Sequence, residues 1–77
     1  MIEKQDLTDL QNLFLKILQQ QGDWMTRTEI AVAIERPHRL NPHDVAMLDD
    51  LAEKGIIQMN ERKVGAVKTV YIYKASQ

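Results

Sequence analysis

Charged side chains, the residues here most able to act on a partner, are segregated along this chain. Residues 55–77 hold Arg62, Lys63, Lys68 and Lys74 against Glu61, a net charge of +3, whereas residues 44–54 set Asp44, Asp49, Asp50 and Glu53 against Lys54, a net −3. Upstream, Arg27, Arg36 and Arg39 outweigh Glu29 and Glu35 over residues 26–43 by +1. Residues 1–25 stand at −2, with Lys4 and Lys16 against Glu3, Asp6, Asp9 and Asp23. The overall charge of −1 therefore hides a basic end and an acidic segment beside it. A basic patch raises the local concentration of phosphate, while an acidic one repels it and favours basic protein surfaces.

Reaction chemistry is poorly supplied by comparison. No Ser/His/Asp arrangement, glycine-rich phosphate loop or paired-carboxylate pocket is visible in the sequence. The absence of cysteine removes disulfide and thiolate chemistry and leaves the redox compartment open. His38 and His43 with Asp44 are the nearest approach to a metal set, but the spacing crosses a helix start and no second cluster completes the shell. A chain of 77 residues buries only roughly 60 % of the surface its unfolded form exposes, which leaves little core to hollow out for a substrate. The expectation is a non-enzyme with no cofactor and no metal. Met1-Ile-Glu-Lys-Gln-Asp lacks an apolar run of signal-peptide length, and no segment approaches the ~20 apolar residues that span a bilayer. No membrane association and a cytoplasmic location are expected.

The elements that would position these charges can be read from spacing. Leu7, Leu10, Leu13, Phe14, Ile17 and Leu18 recur at threes and fours, predicting an amphipathic helix over about 6–21, capped by Asp6 or by Thr8 of a Thr8-x-x-Gln11 capping box and closed at Gly22. Thr26-x-x-Glu29 starts a second helix over about 27–35, with Met25 placed to staple onto Ile30 and Pro37 biasing Arg36 out of helical geometry. Asn41-Pro42-His43-Asp44 repeats the start signal for a third helix over about 42–54 that ends on Gly55, with Leu40 set to staple Val45. Val45, Leu48, Leu51 and Ala52 form its expected buried stripe. The opposite face would show His43, Ala46, Asp50 and Glu53, flanked by Met47 and Lys54.

Two β-rich runs within about 56–74, joined by a polar basic loop, predict a hairpin. Val70 and Ile72 alternate with Val67, Thr69, Tyr71 and Tyr73, and both sets suit partial burial, so which face meets the helices stays open. Trp24 and Met25 are placed to add a short third strand. The tryptophan and tyrosines read as packing residues and the methionines as filler. The whole is a single domain over 1–77, mainly α with a small antiparallel β wing.

The order of elements, with Leu48-Asp-Asp-Leu51-Ala-Glu-Lys-Gly55-Ile56-Ile57 leading into the hairpin, resembles the winged helix-turn-helix family over roughly Leu7 to Tyr73. One departure is the connection Glu35-Arg36-Pro37-His38-Arg39-Leu40, several residues longer than the family's tight turn. The resemblance implies a DNA-binding protein, with transcription regulation as its expected role, that places the third helix in the major groove of double-stranded DNA. It implies that Thr26, Arg27 and Thr28 face phosphate, and that His43, Ala46, Met47 and Asp50 face base edges. Arg62 and Lys63 in the wing, with Lys68 just beyond, would supply the salt-sensitive backbone contact, and Arg36, His38 and Arg39 a further basic one.

The acidic third helix supports a different expectation. Like charges about 4 Å apart repel by roughly 1 kcal/mol in water, and a DNA reader more often shows Arg, Lys, Gln, Asn or Ser on that face. The alternative is an adaptor that docks its acidic helix on a protein partner, since the same scaffold serves that role too. A homodimer would suit a regulator reading a two-fold site; with no extra C-terminal helix of the kind many relatives use to pair, helix one is the spare element.

Overall fold

The computed structural model describes residues 7–76. In chain order the elements are α1 (Asp9–Gln21), β1 (Met25–Thr26), α2 (Arg27–Ala33), α3 (Pro42–Glu53), β2 (Ile57–Val64) and β3 (Lys68–Ala75). The strands form one antiparallel sheet in the order β1-β3-β2. The architecture is the three-helix winged helix that the sequence resembles, with β1 the extra strand, formed by Met25 and Thr26 rather than by Trp24.

Each helix start is a reciprocal capping box: Thr8 with Gln11, Thr26 with Glu29, and Asn41 with Asp44. Thr8 is thus the cap of α1, and Asp6 lies outside the described residues. Removing such a cap costs about 1 kcal/mol, so the three boxes help set where each helix starts. α3 ends with the Ile56 amide donating to the Leu51 carbonyl and the Gly55 amide to that of Ala52, with Gly55 left-handed at φ 78°. α2 ends the same way two residues before Glu35. The Arg36 amide donates to the Ala31 carbonyl and the Glu35 amide to that of Val32, and Glu35 takes the left-handed position at φ 63°. This closing motif ends the helix at Ala33, short of the expected Glu35.

The core gathers Phe14 and Leu18 of α1, Ile30 and Ala31 of α2, Leu40 of the α2–α3 connection, Leu48 and Leu51 of α3, and Met25, Ile57, Tyr73 and Ala75 of the sheet. The α1 stripe differs from its expected set: Leu13 faces solvent, and Gln11 is buried. The Gln11 carboxamide donates to the Met47 carbonyl at 3.3 Å and to Asp50 Oδ2 at 2.8 Å, tying α1 to α3. On α3 the fully buried residues are Leu48, Leu51 and Asp44, whereas Val45 and Ala52 are only half-buried.

The hairpin register settles which wing face meets the helices. Ile57, Met59, Glu61 and Lys63 stand opposite Ala75, Tyr73, Tyr71 and Thr69. Because Ile57, Tyr73 and Ala75 lie in the core, this is the helix side. Gln58, Asn60, Arg62 and Val64, opposite Lys74, Ile72, Val70 and Lys68, make the outer side.

Candidate nucleic-acid interface

Cation placement is the first test of a phosphate-binding surface, and it divides the expected basic residues into anchored and free. Arg36 is anchored: its Nε and one Nη donate to the two carboxylate oxygens of Asp44, both at 2.8 Å. The Asp44 carboxylate is fully buried and also accepts the Asn41 amide at 3.1 Å. A planar guanidinium matched to both oxygens is the strongest form of this pairing. Hydrogen bonding from Arg36, aided by the Asn41 amide, holds the Asp44 carboxyl below the usual range against the opposing effect of burial. Arg36 therefore stitches the long α2–α3 connection to the start of α3, an engagement that competes with the expected contact to a partner. His38 and Arg39, farther along the connection, are exposed.

Arg27 is anchored differently. Its guanidinium carbon lies 4.5 Å from the Tyr71 ring centroid and 5.9 Å from that of Tyr73, and its Nε donates to the Tyr73 hydroxyl at 2.9 Å. Tyr73 is fully buried, and that burial pushes its phenol up, with Arg27 opposing and the Asp49 charge adding to the shift. Two aromatic faces and one hydroxyl thus fix the direction of the guanidinium. Among the described residues neither Nη atom is engaged in a hydrogen bond or ion pair. Arg27 lines one concavity with Thr26, Thr28, Thr69, Val70 and Tyr71, so the start of α2 and the middle of β3 face a common space. Thr26 itself spends its hydroxyl on the Glu29 amide, and Glu29 returns a carboxylate to the Thr26 amide, placing a negative charge beside the helix start.

The exposed stripe of α3 is rotated from the expected one. His43, Ala46, Asp49 and Glu53 are exposed. Met47 packs against the core cluster, and the Thr8 hydroxyl lies 3.8 Å from its sulfur. Asp50 turns toward α1, where its Oδ2 accepts Gln11 Nε2 at 2.8 Å and meets Lys54 Nζ at 3.0 Å. Those two contacts, Gln11 first, lower the Asp50 carboxyl from its ordinary value. Asp49 takes the outward position instead.

The wing does not present its basic residues together. Arg62, Lys63 and Lys68 are all exposed, but strand alternation puts Lys63 on the helix side with Glu61 while Arg62 and Lys68 face outward. The helix side thus combines the start of α2, the Asp49 stripe and Lys63, a surface of mixed sign. Tyr71 and Tyr73, read from the sequence as packing residues only, orient Arg27. The Tyr71-x-Tyr73 spacing, which puts two rings on one strand face, was the available signal. Among the described residues no group of three or more acids and histidines is arranged to hold a metal ion, and no helix is long and apolar enough to cross a membrane.

Comparison with solved structures finds a likeness in fold. A solved structure from work on the DNA recognition and protein interaction domains of HOP2, a protein there credited with homologous DNA pairing properties, superposes with a TM-score of 0.60. The two chains are 27% identical, over 86% of this chain and 97% of that one. No protein-family model and no curated protein matches the sequence.

Proposed function

From the premise that this chain is a winged-helix domain, we propose that it binds double-stranded DNA through its helix side. Arg27 carries the reading: a guanidinium already oriented by Tyr71 and Tyr73, with both Nη atoms open, reaches a phosphate without the ordering cost of a free side chain. His43, Ala46 and Asp49, exposed along α3, then face base edges, where Asp49 accepts from a cytosine amino group and Ala46 touches a thymine methyl. Lys63 adds a backbone contact from the wing. The likeness to a DNA-recognising domain of HOP2 supports this reading, and gene regulation is one use to which such binding is suited.

Arg27→Ala is expected to weaken binding to all duplex sequences alike and to lower the slope of log affinity against log salt by about 0.9, the share of one phosphate contact. Fluorescence anisotropy on a random-sequence duplex measures both, and an unchanged slope removes Arg27 from the interface.

A second reading rests on Asp49 and Glu53, which are exposed on α3 and have no ion-pair partner among the described residues. They suit docking on a basic protein surface. Asp49→Lys separates the two readings, since it tightens duplex binding if α3 lies against DNA and leaves it unchanged if α3 serves a protein partner.

A further inference from the structure

The outer side of the sheet is as uniform in charge as the helix side is mixed. Its ladder positions hold Arg62, Lys68 and Lys74 with Gln58, Asn60, Val64, Val70 and Ile72, and no carboxylate stands among them. At about 3.3 Å per residue the three cations are strung along roughly 20 Å of sheet. Over that length one DNA strand presents about six phosphates, one per 3.4 Å of axis. Arg62 and Lys68 are exposed and enter no ion pair among the described residues. Lys74 rests over the Trp24 ring, 5.7 Å from its centroid, so the indole is covered by a cation rather than open for base stacking. These features suit contact with a phosphate backbone and offer no platform for unpaired bases.

We propose that this outer face is a second, sequence-independent site for duplex DNA, distinct from the helix side, so that a single chain holds two duplexes on opposite faces of its sheet. The inference rests on the DNA-binding reading for its first site only; the second site has its own cations. Because Arg62 and Lys63 are neighbours in sequence but lie on opposite sides of the ribbon, the two sites are separable by mutation.

The test is the stoichiometry of the 77-residue chain with a duplex of about one helical turn, roughly 10 bp, too short to reach both faces. Titration at low salt by analytical ultracentrifugation counts duplexes per protein chain. The wild type is expected to take up two, and Arg62→Ala with Lys68→Ala to take up one while retaining the helix-side site. Arg27→Ala should weaken the helix-side site and spare the outer one. One duplex per chain in the wild type, or two in the outer-face variant, overturns the second site and leaves the first standing. No duplex bound in any form sinks both. Uptake of polyglutamate on the outer face that duplex DNA does not displace means an acidic protein partner and also overturns the proposal.

Discussion

The two sides of the β2–β3 ribbon carry the same number of residues in the same ladder, yet they do different work. The helix side contributes Ile57, Tyr73 and Ala75 to the core, and the Tyr71 and Tyr73 rings to the seating of Arg27. The seat of Arg27 is therefore inseparable from packing. Among the described residues the outer side contributes only Ile72 to the buried set, lies outside the core cluster, and carries Arg62 and Lys68 as exposed cations. An interface built on core residues is pre-oriented and costly to mutate; one built on exposed cations acts through charge alone and is cheap to mutate.

The sharpest way to break this contrast is at Tyr73. Tyr73→Ala removes a fully buried ring and is expected to cost about 3–5 kcal/mol of stability in urea unfolding, and to free Arg27 as well. Acid should be the next largest perturbation, because the ion pairs lie among the helices. Hydrogen bonds from Arg36 to Asp44, and from Gln11 and then Lys54 to Asp50, depress both carboxyls below their unfolded value of 3.8. Their stabilisation is complete above that value and is lost as pH falls through the lower folded values. The melting temperature is thus expected to decline below about pH 4, and Asp44→Asn to flatten that decline. Tyr73→Phe keeps the ring and deletes the hydroxyl that accepts from Arg27. It should cost about 1 kcal/mol of stability and weaken duplex binding severalfold, whereas equal binding would mean that the ring stack alone orients Arg27. At the small end, Arg62→Ala with Lys68→Ala should alter stability by under about 0.5 kcal/mol; a larger loss would show that the outer cations are part of the fold.

How much of this was legible in the sequence follows from the range of each interaction. The caps at Thr26 and Asn41, Gly22, Gly55 and the Leu48/Leu51 stripe depend on residues three or four apart, and spacing reveals them, while for α1 it left Asp6 and Thr8 as alternatives. Asp44 shows where spacing fails: it reads as a helix-start acid, which it is, but its burial depends on Arg36 reaching back from the α2–α3 connection. Gln11 is the same case across 39 residues to Asp50. Once Gln11 and the core claim Met47 and Asp50, the exposed stripe of α3 must turn toward Asp49. The wing was ambiguous because Val70 and Ile72 looked as fit for burial as Tyr71 and Tyr73. A side-chain period of two means that one register decision assigns every wing residue to a face. That decision, fixed by packing Tyr73 and Ala75 into the core, is what divides Arg62 and Lys68 from Lys63.

The measurement that bears most directly on the central claim is fluorescence anisotropy of the purified chain on a random-sequence duplex from low to physiological salt. Binding that weakens steeply as salt rises is the predicted result, since oriented Arg27 and exposed Lys63, Arg62 and Lys68 are the proposed phosphate contacts. No binding even at low salt would contradict it, and would leave the acidic stripe of Asp49 and Glu53 as the working surface of the domain.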